Sequence, residues 1–211
     1  MKLIKRGSMS SALLFVCSLV FGSVCGITAL AFISAPKQGT PKVFEKRKQI
    51  APEVVSVLEI ESSDKRLMIG ESFQAGEEWL KGTKFKLRND SGREIVYVAF
   101  ELEFPETTAI GDVMIFPIQI GRRPGSIIAN KKQPLILKAD QELTIELDEG
   151  TYTALRRFIE SRLPLSNISK VIVNVQFVAF DDDTGWSNGE YMRQTPDNPN
   201  RWVPIVKSPL K

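Results

Sequence analysis

Strict alternation of apolar and charged side chains is the feature that most limits what this chain can fold into. In Lys84-Phe85-Lys86-Leu87-Arg88 and again in Glu142-Leu143-Thr144-Ile145-Glu146-Leu147-Asp148, alternate residues are apolar. Successive side chains of an extended strand point to opposite faces, so such a run offers one face to a core and the other to water. A helix would spread the same residues around its whole circumference. Two longer runs follow the same rule. Val96, Val98, Phe100, Leu102 and Phe104 define one inward face, and Val171, Val173, Val175, Phe177 and Ala179 define another. Residues 54–60 and 114–120 are further β-prone runs. Pro117 cannot donate to a ladder, which makes the second of these an edge strand or a bulge.

Turn signals separate the runs: Asn89-Asp90-Ser91-Gly92, Arg122-Arg123-Pro124-Gly125 and Asp183-Thr184-Gly185. The first joins two alternating runs and predicts a hairpin. One helical pattern interrupts the strands. Leu155, Phe158, Ile159 and Leu163 fall at i, i+3, i+4 and i+8, with Arg156, Arg157 and Glu160 on the opposite side. Thr151 is its expected N-cap and Pro164 its stop. About seven strands with one late crossover helix, and no regular alternation of strands with helices, predict an all-β, antiparallel β-sandwich over residues 54–205.

Composition narrows the chemistry. The 211 residues include no histidine, so a Ser-His-Asp or Cys-His site and any His-ligated metal are excluded. The formal charge is +3, and Lys2, Lys5 and Arg6 account for that whole excess. A body of balanced charge lacks the clustered basic surface that nucleic-acid binding needs. No nucleic-acid partner and no cofactor are expected.

The N-terminal 35 residues read as a signal anchor. Ala12 to Ile33 is a 22-residue run without a charge, about 33 Å long as a helix at roughly 1.5 Å per residue, against a hydrocarbon core of about 30 Å. A transmembrane helix over 12–33 is therefore expected, preceded by a short basic segment. The small-x-small site Ala29-Leu30-Ala31 keeps open a cleaved signal peptide and a secreted body. Lys37, Lys42, Lys46, Arg47 and Lys48 follow the run, and a count of flanking positive charge alone would favour a cytoplasmic body. The basic leader reads instead as an export signal, which places the body outside the cytoplasm. Both cysteines, Cys17 and Cys25, lie inside the run, so no disulfide supports the body. Residues 36–53, with Pro36, Gly39, Pro41 and Pro52 among charged residues, read as a solvated, flexible linker. Residues 206–211 form a tail.

The order strand, Leu87-Arg88-Asn89-Asp90-Ser91-Gly92, then Arg93-Glu94-Ile95-Val96 opening a long strand resembles the hairpin of extracytoplasmic immunoglobulin-like modules in bacteria. Leu137-Lys138-Ala139-Asp140-Gln141-Glu142 is similar to the approach to a later strand in such modules, with Asp140 where glycine is usual. Phe180 to Trp186, continued through Pro199-Asn200-Arg201-Trp202, resembles the C-terminal part of secreted bacterial proteins of this build. The likeness covers roughly residues 54–205. It implies an immunoglobulin-like fold and brings no catalytic residues with it.

Candidate sites are few. Trp186, Tyr191 and Trp202 crowd into the last 26 residues beside Arg193 and Arg201. Aromatics among polar neighbours suit a protein partner or a glycan, and these five residues are the expected binding surface. Closure of one end of the sandwich by the two tryptophans is the competing structural account. Asp181, Asp182 and Asp183 supply oxygen ligands of the kind calcium takes, but alternation along a strand keeps the three from converging, and a polar turn is the expectation. Glu101 with Glu103, and Glu59 with Glu61, are paired carboxylates at a spacing that glycosidases use and that any solvated strand face also produces. Arg122 and Arg123 with Lys131 and Lys132 are two dibasic pairs. Asn89-Asp90-Ser91 and Asn167-Ile168-Ser169 fit the glycosylation pattern. The expected protein is a single-pass, membrane-held, non-enzymatic interaction or structural module of the envelope. A carbohydrate-binding module and a carboxylate-based hydrolase are the alternatives.

Overall fold

The computed structural model describes residues 39–48, 53–124 and 135–205. The apolar run 12–33 with Cys17 and Cys25, the pair Lys131 and Lys132, and the tail 206–211 lie outside these residues. No helix among the described residues is long and apolar enough to cross a membrane.

The body is mostly β: two sheets packed together, with one short helix. The smaller sheet has the order β3 (Lys65–Leu67), β2 (Val55–Ser62), β5 (Lys84–Asn89), β8 (Glu142–Glu146). Its alternation behaves as expected: Phe85, Leu87 and Ile145 are buried, while Lys84 and Lys86 pair with Glu61 and Glu142 on the wet face at 3.1 and 2.6 Å. Such exposed pairs contribute little, about 0.2–1 kcal/mol each. Leu58 is an extra residue in β2 against β5 and is pushed outward, which keeps Ile60 in the core.

The larger sheet is organised around β9 (Lys170–Phe180). Along one flank of β9 runs β6 (Ile95–Phe104), followed by β7 (Met114–Gly121). The other flank is divided. Its first part pairs with β1 (Thr40–Lys46), which carries β4 (Ser72–Ala75) on its far side. Its last part pairs with β10 (Thr184–Ser187), then β11 (Glu190–Thr195) and β12 (Asn198–Pro204). The sheets meet through side chains such as Phe85 and Phe100, whose ring centroids are 5.0 Å apart. The helix α1 (Glu149–Glu160) crosses from β8 in one sheet to β9 in the other and buries Tyr152, Leu155 and Ile159. Its N-cap is Asp148, whose carboxylate accepts from the Thr151 N–H at 2.7 Å. Thr151, the expected cap, lies inside the first turn.

Four expectations are corrected. Residues 40–46, placed in the flexible linker, form β1. Phe44 of that strand is buried against Phe73, Trp79 and Phe85, and burial of a phenylalanine contributes about 1.5–3 kcal/mol. The strand was hidden because its other inward residue is Lys42. That side chain is buried, donating from Nζ to the carbonyls of Ile168 at 2.6 Å and Ser166 at 3.3 Å. The sandwich is also not wholly antiparallel, since β1 and β9 run parallel.

The segment Asn89–Gly92 is not a hairpin. β5 and β6 belong to different sheets, and the turn carries the chain from one to the other. Asn89 directs it: Nδ2 donates to the carbonyls of Arg93 and Leu137, and Oδ1 accepts from the Ser91 N–H. The amide a glycan would need is therefore buried and engaged.

The fourth correction concerns faces. Between Ala99 and Phe100, β9 contains one more residue than β6, a bulge around Gln176. A one-residue offset sends every later side chain to the opposite face. Val178 and Phe180 therefore enter the core, and Phe177 and Ala179 turn to the outer face. An irregularity at Val96 similarly puts Ile95 in the core and leaves Val96 against the outer cluster.

Candidate functional site

The bulge shapes the outer face of the larger sheet. On the outer face of the larger sheet, Tyr97 and Ala99 of β6 meet Phe177 and Ala179 of β9 in a second apolar cluster, with Val96 and Trp202 packed on it. Trp202 contacts Phe177 edge to face, centroids 5.0 Å apart and planes at 75°, and Tyr97 lies 6.1 Å from Phe177 on the other side. These rings line a cleft of about 260 Å³ whose remaining wall includes Pro117 and Met192. Its polar lining is Gln119, Arg123, Gln176 and Ser187.

The chemistry of the cleft is that of donors over aromatic faces. The Arg123 guanidinium lies 5.6 Å from the Phe177 ring centroid, within range of a cation–π attraction. The Trp202 indole N–H is buried and has no acceptor among the described residues. Burial raises the Tyr97 hydroxyl above its ordinary pKa, and Arg123 pulls it partway back. Among the described residues no carboxylate lines the cleft.

The five expected surface residues are divided between environments. Trp186 is a core residue, 1% exposed. Tyr191 sits opposite it across the β10–β11 ladder, half outside, with its ring stacked on Phe180 at 6.4 Å. Arg193 is exposed on β11, where it pairs with Thr184 and Val203 in the ladder, and Arg201 is exposed on β12. Trp202 alone reaches the cleft. Facing positions of an antiparallel ladder share a side, so Trp186 and Tyr191 share one face of the sheet, while Trp202, opposite Gln194, takes the other. Of the cleft residues missing from that set, Tyr97 was legible as the out-facing member of its alternating run. Phe177 was not, because its face depends on the bulge.

The other candidates are tied up locally. Glu103 is buried and accepts from Arg47 Nε at 2.7 Å. Glu101 is approached by the Asn174 amide at 3.3 Å, and burial raises its pKa. Glu61 pairs with Lys84, and Glu59 with Arg66 at 2.8 Å. Asp181–Asp183 form the β9–β10 turn. There Asp182 accepts from Arg93 and from the Thr184 N–H and hydroxyl. No group of three or more possible metal ligands converges among the described residues. Comparison of the chain with family models, curated proteins and solved structures yields no match.

Proposed function

We propose that this chain is a membrane-held, non-enzymatic interaction module, an immunoglobulin-like β-sandwich displayed outside the cytoplasm, whose partner occupies the cleft above Phe177. The observation that carries this reading is the cleft itself. Tyr97 and Phe177 are buried in the outer cluster, and Trp202, only partly buried, lines the open side of the cleft. Buried aromatics and an arginine at the centre of a concave patch are the usual anchors of a protein interface. The sheet pair supports the immunoglobulin-like reading, and the 22-residue apolar run with its basic leader supports the membrane tether.

The test is site-specific photocrosslinking in intact envelopes, with the probe at Gln119 beside the cleft and at Thr144 on the wet face of the other sheet. Adducts are expected from Gln119 only, and they should vanish in Trp202→Ala while the far-ultraviolet spectrum is unchanged. Equal adducts from both positions would remove the cleft from consideration.

The amide-rich rim favours one second reading, a carbohydrate-binding module. Gln119, Gln176 and Ser187 can hydrogen-bond hydroxyl groups while the partly buried Trp202 faces an apolar ring surface. In that case Trp202→Ala loses retention on an immobilised glycan, and the protein adducts at Gln119 are absent.

A further inference from the structure

Charge is arranged differently on the outer faces of the two sheets. On the smaller sheet the cations come with acids: Lys84 lies 3.1 Å from Glu61, Lys86 2.6 Å from Glu142 and Arg66 2.8 Å from Glu59. On the larger sheet, Arg123 is the one charged side chain among the described residues that line the cleft. It is exposed, and its guanidinium is set over the Phe177 ring instead of a carboxylate. Glu190, opposite Ser187 in the ladder, is exposed and outside the lining. The surrounding sequence deepens the imbalance. Residues 113–139 include Arg122, Arg123, Lys131, Lys132 and Lys138, and neither Asp nor Glu.

The backbone holds Arg123 in place. Gly121 ends β7 opposite Tyr97, with φ at +82°. A β-carbon there would strike the Val96 carbonyl oxygen and lie 2.7 Å from Leu135 Cβ, so only glycine fits the turn. From β7 to β9 is two strand spacings, about 10 Å. The Arg123 side chain therefore reaches back across β6 to come within 5.6 Å of the Phe177 centroid. A cation–π contact uses the ring face and consumes none of the five guanidinium N–H donors.

We infer, on the cleft reading above, that the group of the protein partner held in the cleft is a carboxylate beside an apolar side chain. The carboxylate meets Arg123, and the apolar side chain lies against Trp202. The planar fork of a guanidinium matches the two oxygens of a carboxylate, and a concave site of one sign concentrates the opposite charge. A single arginine among aromatic walls suits an acid carried on an apolar body. Phosphate groups are taken by clusters of arginines.

The experiment uses the full chain in detergent micelles with its three tryptophans replaced by 5-fluorotryptophan. Each position then gives one fluorine resonance, and Trp202→Phe assigns that of residue 202. N-acetylphenylalanine is expected to shift the 202 signal and leave those of Trp79 and Trp186 in place. Its amide should bind at least about tenfold more weakly. Arg123→Gln should bring the acid down to the level of the amide, and Arg123→Lys should keep part of the preference. Equal binding of acid and amide by the parent, or a 202 signal that neither moves, would overturn the carboxylate assignment. A shift by glucuronate in preference to N-acetylphenylalanine would assign the site to an acidic glycan instead. Photocrosslinking from Gln119 separates this inference from the reading beneath it. Adducts that persist in Arg123→Gln would refute the carboxylate and leave the cleft as the partner's site, whereas adducts absent from the parent would remove both.

Discussion

Phe177 and Trp202 touch directly above Gly185, the residue of β10 paired with Ala179. A β-carbon at position 185 would lie 2.7 Å from the Val178 carbonyl oxygen, 3.0 Å from the tip of Phe177 and 3.1 Å from Trp202. The contact between the rings thus depends on a missing side chain beneath it. Gly185→Ala is expected to cost about 1–3 kcal/mol through overpacking and to separate the rings. Urea midpoints measure the first effect, and a change in near-ultraviolet circular dichroism reports the second. A variant as stable as the parent with an unchanged aromatic spectrum would contradict this geometry.

The two late tryptophans should behave differently. Trp186 is a core side chain, and Trp186→Ala is expected to cost about 3–5 kcal/mol, the usual range for emptying such a site. Trp202 lies over an outer cluster, so Trp202→Ala should leave a cooperative unfolding transition with a distinctly smaller loss. Paired thermal melts decide this. Equal losses would place both residues in one core.

Asn89 ties the crossing between the sheets by donating to Leu137 at 2.9 Å and Arg93 at 2.6 Å. Asn89→Ala takes the amide from both carbonyls, of which Leu137 keeps the Ile95 N–H, and about 1 kcal/mol or more of stability should go with it. Asn89→Asp at neutral pH should be no better, because a carboxylate accepts but cannot donate. Recovery of stability in the aspartate variant would show that the accepting half of the amide is what matters.

Lys42 gives a pH-dependent prediction. Burial lowers its pKa below the ordinary 10.5, and Glu106 only partly opposes the shift. Between the lowered folded value and 10.5 the unfolded chain binds a proton that the folded chain does not, so stability rises with pH across that window. Below the folded value the penalty of the buried charge is fully present. Lys42→Met lacks this slope. The parent's stability relative to Lys42→Met should therefore increase as pH climbs toward 10.5, measured by denaturant unfolding at several alkaline pH values. A constant difference would mean that Lys42 titrates normally.

Much of the fold could be read in advance where each residue's neighbours in sequence settle its face. Lys84-Phe85-Lys86-Leu87-Arg88 alternates without interruption, and β5 is where it should be. Leu155 and Ile159 likewise mark the buried side of α1. Local chemistry failed where a distant partner supplied the deciding contact. Lys42 reads as a solvated residue until the carbonyls of Ser166 and Ile168 are placed around its ammonium. Asn89-Asp90-Ser91-Gly92 reads as a hairpin until Leu137 is seen to hold the amide. Of the expected surface set, only Trp202 reached the cleft, because the facing of Trp186 and Tyr191 follows from ladder register.

By itself the amino-acid order determined the strand-rich character, the helix and its apolar side, the absence of histidine chemistry and the long uncharged N-terminal run. Those properties depend on spacing along the chain and on side-chain type, both of which are local. Tertiary structure alone decided that β1 belongs to the body, that the Asn89 turn crosses between sheets and that Phe177 faces outward. Each of these rests on pairing between residues far apart in the chain, and one additional residue in β9 is enough to exchange the inner and outer faces of everything beyond it.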